Sequence, residues 1–221
     1  MIADEILDRV TLSNGKEMVL LRWDAHFSIH VGGRPLMSSH EHGSEDALGR
    51  IVAERLAGVV RPKVLIGGLG LGFTLRAALD ALPKTARVVV VELVPEVVRW
   101  NRDVCGALAG HPLDDPRVEV IVDDVAKVIG RGKGDYDAIV LDVDNGPVAI
   151  SDPGNAKLYS RAGLARARAA LRKGTGILAV WSAVSSKTFE GLDTVGKVER
   201  VRAEATTPGG PRYYIWLAQR G

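Results

Sequence analysis

The chain has a single cysteine, Cys105, so no disulfide can form within it, and a lone thiol fits a reducing compartment. Nothing around Cys105 marks it as a nucleophile. Neither sign of charge is in excess: 29 Lys and Arg stand against 27 Asp and Glu, a balance that asks for no nucleic-acid partner. The one basic cluster, "SRAGLARARAALRK", sets Arg161, Arg166, Arg168, Arg172 and Lys173 among alanines at helical spacing, which reads as a solvated helix face. No apolar run approaches the length of a membrane span, and "MIADEILDRV" lacks the basic and apolar regions of a secretory leader. The expectation is a cytoplasmic protein with no membrane partner. No repeat, low-complexity tract or Pro-rich linker is present.

The 221 residues suffice for one α/β domain with a sizeable core and a minor appendage. Residues 1–42 read as that appendage, because "KEMVLLRW", "HFSIHV" and "RPLMSS" are short alternating runs broken at Asp24-Ala25 and Gly32-Gly33. The pattern is that of a β-hairpin or three-stranded meander. Residues 43–221 read as the main domain. "GSEDALGRIVAERLAG" opens it as a helix, with acids in its first turn and a glycine stop. After it, runs such as "KVLIGG", "ARVVVVEL", "RVEVIV", "YDAIVLD" and "GTGILAVWS" alternate with amphipathic segments. Continuous Val/Ile/Leu strands alternating with helices argue for a parallel sheet covered on both faces. "GKVERVRAEA" and "RYYIWLAQR" have no helix between them and read as an antiparallel hairpin at one sheet edge.

Three successive strand ends carry groups suited to a nucleoside. In "VLIGGLGLGFTLRAAL", Gly68, Gly70 and Gly72 stand between a strand and a helix, where glycine lets backbone approach a ligand and the helix N-terminus offers free N–H groups. The spacing is not G-x-G-x-x-G, since the third glycine of that fingerprint falls on Phe73 or Leu75. Glu92 closes the next strand, in position to hold ribose hydroxyls. Asp123 and Asp124 close the third, where a carboxylate can accept from an adenine amino group or cap the following helix.

Two further places concentrate acids. "YDAIVLDVDNGP" runs an apolar strand into Asp142 and Asp144. "SSHEHGSE" groups His40 and His42 with Glu41 and Glu45, but no other Cys or His has matching spacing, so no metal is expected and Glu45 is the substrate-side candidate. Trp181 and Ser182, ending "GILAVWS", read as core or pocket wall.

From about Phe27 to the C-terminus, these segments resemble the polyamine aminopropyltransferases, the spermidine synthase family. "VLIGGLGLGFTLR" is similar to that family's glycine loop, "VVVVELVPEVV" to its ribose strand, "DPRVEVIVDD" to its adenine strand and "YDAIVLD" to its catalytic strand. The resemblance implies a Rossmann-like class I methyltransferase fold, with a mostly parallel seven-stranded sheet and a C-terminal antiparallel hairpin. It implies a transferase that moves the aminopropyl group of decarboxylated S-adenosylmethionine to a polyamine or other amine, releasing methylthioadenosine. Gly68, Gly70 and Gly72 would lie beneath the co-substrate, Glu92 on ribose and Asp123 or Asp124 at adenine. Asp142 would be the base, and Asp144, Tyr159 and Glu45 would contact the amine. A homodimer is also implied. Two departures keep a methyltransferase using intact S-adenosylmethionine, and a non-catalytic nucleoside-binding protein, open as alternatives. The loop Asp142-Val143-Asp144-Asn145-Gly146-Pro147 is shorter than the family's Asp-x-x-Asp-Pro-x-Gly-Pro, and Leu71 replaces the aspartate of the family's glycine loop.

Overall fold

The computed structural model describes residues 5–143, 153–183, 189, 191–204, 206–207 and 210–221. It begins with an antiparallel sheet of four strands in chain order: β1 (Glu5–Thr11), β2 (Glu17–Trp23), β3 (His26–Val31) and β4 (Arg34–Ser38). The sequence pattern predicts at most three strands here. β1 escapes it because the register with β2 shifts between Ile6 and Asp8, which breaks the period-two alternation of "EILDRVT".

The main sheet takes β5 (Lys63–Gly67), β6 (Arg87–Glu92), β7 (Val118–Val122), β8 (Ala138–Leu141), β9 (Ile177–Ser182), β10 (Lys197–Glu204) and β11 (Arg212–Gln219) in the order β10-β11-β9-β8-β5-β6-β7. Strands β5 to β9 are parallel, and β11 and β10 add antiparallel to one edge as the sequence pattern predicts. Residues Val88 to Glu92 of β6 are all buried, as both faces of a parallel sheet require. Chain order runs outward from β5 to β7 and then returns to β8, so the sheet reverses between β5 and β8. Ligands of open α/β sheets bind at the carboxyl ends of the strands beside such a reversal.

Helices α1 (Gly43–Arg55), α2 (Phe73–Ala81), α3 (Pro95–Arg102), α4 (Val125–Arg131) and α5 (Arg161–Ala170) cover the sheet. One core joins both sheets: Met18, Leu20, Ile29 and Val31 from the small one pack with Leu48, Leu71 and Val97. A polar tie adds to it, because Asp8 of β1 accepts from the Trp100 indole N–H at 2.7 Å and pairs with Arg99 of α3. Ahead of the basic cluster the chain forms a 3-10 turn, Pro153–Tyr159, and then α5, because Ser160 takes extended backbone and caps α5 by accepting from Gly163 N–H at 3.1 Å. Cys105 lies beyond α3, and burial pushes its thiol up to about 12. In α5 Arg161 and Arg166 are exposed and Arg168 is half-buried, whereas Leu164, Ala167 and Ala170 are buried.

α1 crosses α2 at backbone distance. A Cβ on Gly49 would lie 2.5 Å from the Thr74 carbonyl oxygen and 2.7 Å from Ala78 N. Gly49→Ala is therefore expected to destabilise the chain by about 2 kcal/mol through overpacking, read as a lower urea midpoint with unchanged slope.

Candidate functional site

A cavity of about 320 Å³ opens at the carboxyl ends of β5, β6, β7 and β8 and is closed on its other side by the small sheet. Six acids line it: Glu45, Glu92, Glu96, Asp123, Asp124 and Asp142. Among the described residues no lysine, arginine or histidine lines it.

The glycine loop is shaped by what lies against it. Gly68 has φ of 92°, and a Cβ there would collide with the carbonyl oxygen of Asp142, so β8 can pass the loop only over a glycine. Gly70 is covered by the Met37 sulfur of β4. Gly68 and Gly70 line the cavity, whereas Gly72 does not; it precedes α2 and packs against Asn101 and Pro112. Leu71 is fully buried in the core.

Glu92 is fixed by this loop. Its Oε2 accepts from Leu69 N–H and its Oε1 from Val94 N–H, both at 2.9 Å, so the carboxylate is oriented before any ligand arrives. Asp124 caps α4 by accepting from Ala126 N–H at 2.7 Å. Asp123 accepts from Asp124 N–H at 2.8 Å and faces Lys127 and Arg131, and these interactions hold its carboxyl below the ordinary range.

The remaining strand-end acid behaves differently. Asp142 Oδ2 accepts from the Thr74 hydroxyl at 2.6 Å, and Glu45 Oε2 accepts from the Ser44 hydroxyl at 2.5 Å. Neither acid is paired with a cation among the described residues. Burial pushes Glu45 up to about 7, helped by the negative charge of Asp142. Burial likewise pushes Asp142 up to about 6, against the opposing pull of the Thr74 hydroxyl. Both acids therefore hold their protons above the ordinary carboxylate range, with the Asp142 charge adding to the rise at Glu45.

Of the residues singled out from the sequence, Glu45, Gly68, Gly70, Glu92, Asp123, Asp124 and Asp142 meet at the cavity, and Trp181 lines it. Asp144 lies outside the described residues. Tyr159 does not line the cavity: it ends the 3-10 turn before Ser160 and its ring turns into the second core cluster, 5.6 Å from Phe189. His42 stacks on Phe73 at 4.0 Å and pairs with Asp46 at 2.9 Å, while His40 meets the His26 ring edge-on at 5.2 Å. Glu41 accepts from the N–H groups of Thr206 and Thr207, which ties the turn before β11 to the start of α1. Sequence reasoning passed over Thr74, Met37 and Tyr213. Tyr213 packs on Trp181 at 5.2 Å, and its phenol is raised by burial and by the charges of Glu45 and Glu41. Only Thr74 carries a legible signal, as a hydroxyl in the first turn after the glycine loop.

The strand order, its reversal beside the cavity and the acids at successive strand ends define a Rossmann-like α/β protein of the class I methyltransferase fold. The chain belongs to the spermine/spermidine synthase family: the family model for the spermine/spermidine synthase domain matches residues 53–205. The polyamine aminopropyltransferase 1 of Hyperthermus butylicus is 30% identical over 162 residues, covering 70% of this chain and 51% of that protein. The polyamine aminopropyltransferase of Thermoanaerobacter sp. (strain X514) is 35% identical over 79 residues, 36% of this chain and 28% of the relative. The chain thus spans between 28% and 51% of the length of these curated relatives. The spermidine synthase of Thermotoga maritima shares the fold, with a TM-score of 0.75 at 17% identity over 98% of this chain and 73% of that one.

The acid pair has a cost in stability that depends on pH. Glu and Asp ordinarily ionise near 4.5 and 3.8, so between there and the raised values the folded chain binds a proton that the unfolded chain has lost. Stability therefore falls as pH rises through about 4 to 7. Glu45→Gln is expected to raise the thermal midpoint at pH 8 by about 4 °C and to leave it unchanged at pH 4, as calorimetric scans at the two pH values would show.

Proposed function

We propose that the protein transfers an aminopropyl group from decarboxylated S-adenosylmethionine to an amine, releasing methylthioadenosine. The observation that carries this reading is the charge of the cavity wall: among the described residues it has six carboxylates and no basic side chain. Such a wall favours ligands that are cationic at every ionised group and disfavours any ligand bearing a carboxylate. Decarboxylated S-adenosylmethionine has a sulfonium and an ammonium; the intact compound adds a carboxylate.

In this reading Glu92, held by Leu69 and Val94, accepts from the ribose hydroxyls, and Asp124 accepts from the adenine amino group. Asp123, Gly68 and Gly70 complete that end. Glu45 and Asp142 serve the reacting end. A protonated amine has no lone pair to offer, so the attacking nitrogen must lose its proton, and Asp142, kept near the middle of the pH range, is suited to take it. Nitrogen then bonds to the propyl carbon as the carbon–sulfur bond breaks. Its electron pair stays on sulfur, which leaves as a neutral thioether. Membership in a family of aminopropyltransferases supports the transferase assignment. Methyl transfer from intact S-adenosylmethionine is the second reading, favoured by the burial of Leu71 where an acid would otherwise hold the donor ammonium.

Titration calorimetry separates the two. Decarboxylated S-adenosylmethionine and methylthioadenosine are expected to bind at least about tenfold more tightly than the intact compound. Tighter binding of intact S-adenosylmethionine would replace the first reading with the second. Asp142→Asn is expected to slow aminopropyl transfer by about 10²–10⁴-fold in a methylthioadenosine-release assay. In Thr74→Val the hydroxyl that holds Asp142 down is lost, so the acidic limb of the kcat/KM profile is expected to move to higher pH.

A further inference from the structure

The first N–H groups of a helix have no partner within it and must find one outside. At α1 no side-chain cap comes from His42, whose ring stacks on Phe73 at 4.0 Å and pairs with Asp46. The partner is Thr206, which lies between β10 and β11, 163 residues beyond Gly43. Its hydroxyl oxygen accepts from His42 N–H at 3.0 Å and from Gly43 N–H at 2.8 Å. The bonding is reciprocal, because Glu41 accepts from the N–H groups of Thr206 and Thr207. Each segment gives backbone donors and a side-chain acceptor, so neither can slide along the other without breaking bonds at both.

What this joint holds is Glu45, which follows Gly43 by two positions in the same helical turn. The Thr74 hydroxyl lies 3.3 Å from the Glu45 carbonyl oxygen and 2.6 Å from Asp142 Oδ2, so the turn also sets Glu45 relative to the strand-end acid. The same hairpin brings Tyr213 to this end, where its ring packs on Trp181 and its phenol feels the charges of Glu45 and Glu41. Thr206 and Thr207 are exposed and belong to neither core cluster. They give orientation with little burial. We infer that Thr206 and Glu41 are positioning residues for the transfer, latching the β10–β11 hairpin to the N-terminus of α1 and thereby fixing the Glu45 carboxylate on the wall it shares with Asp142. A carboxylate that holds an ammonium or takes its proton works only within hydrogen-bond reach, so a small displacement of α1 slows the reaction. The kinetic side of the inference rests on the aminopropyl-transfer reading.

Thr206→Val keeps the shape of the side chain and removes its acceptor oxygen, whereas Thr206→Ser keeps the oxygen. Both are compared with the unaltered chain in aminopropyl transfer from decarboxylated S-adenosylmethionine, using the amine that the unaltered chain consumes fastest from a panel of mono- and diamines. Thr206→Val is expected to lower kcat/KM by about tenfold, Glu41→Ala to do the same, and Thr206→Ser to restore most of the loss. Methylthioadenosine affinity by calorimetry is expected to stay unchanged in all three, because the Glu92 end is untouched. Carboxyl carbon NMR gives a readout that needs no turnover. The groups that face Glu45, namely Asp142, Asp46 and Tyr213, are the same in each variant, so a change in its titration reports its place. In Thr206→Val the Glu45 carboxyl is expected to titrate closer to its ordinary 4.5, because leaving the buried position removes the main cause of its rise. Thr206→Val with the kcat/KM and Glu45 midpoint of the unaltered chain overturns the inference. An equal loss in Thr206→Ser, or a parallel loss of methylthioadenosine affinity, overturns it as well, since either marks general loosening. If the unaltered chain transfers no aminopropyl group, the underlying reading fails, and the Glu45 midpoint then decides the latch by itself.

Discussion

The cavity depends on how closely β8 passes the glycine loop. The carbonyl of Asp142 occupies the space that any side chain on residue 68 would need, and the Asp142 carboxylate is met from the other side by the Thr74 hydroxyl at the start of α2. That approach fixes where the strand-end acid sits. α2 is held in turn by α1, whose Gly49 allows backbone-to-backbone packing and whose first turn carries Glu45. A glycine on each side of α2 therefore brings two acids from distant parts of the chain to one wall. The price of that approach is a carboxyl pair kept protonated well above its ordinary range.

The two ends of the cavity use carboxylates in opposite ways. At one end Glu92 and Asp124 are neutralised by backbone dipoles and stay as fixed hydrogen-bond acceptors, which suits hydroxyl and amino groups of a nucleoside. At the other, Glu45 and Asp142 accept from the Ser44 and Thr74 hydroxyls and face no cation among the described residues, and a bound cation would supply the opposite charge. An acid with unmet charge in a partly dry site is both a cation receptor and a base near neutrality.

Much of this was legible in the sequence. The parallel strands announce themselves as continuous Val/Ile/Leu runs, and Glu92 and Asp124 reach the cavity because the ends of successive parallel strands share one edge of the sheet. Glu45 stands out as an acid in the first turn of a helix. What stayed hidden depends on contacts between elements. β1 is masked by its bulge at Ile6 and Asp8. Thr74 matters only because α2 approaches β8. Tyr159, given as an amine contact by the resemblance, ends the 3-10 turn before Ser160, and its ring lies in the core. Gly72 looked like part of the ligand cradle, and packing against Asn101 and Pro112 accounts for it instead.

The central claim is that Glu45 and Asp142 are neighbouring acids whose burial keeps both protonated above the ordinary range, and its most direct test is carboxyl carbon NMR of the chain labelled at Asp and Glu. Both side-chain resonances are predicted to titrate above the ordinary carboxylate range, and Asp142→Asn should lower the Glu45 midpoint by removing the charge that helps raise it, while Glu45→Gln leaves the burial-driven rise of Asp142 in place. Ordinary titration of both carboxyls near 4 in the unaltered chain would contradict the account.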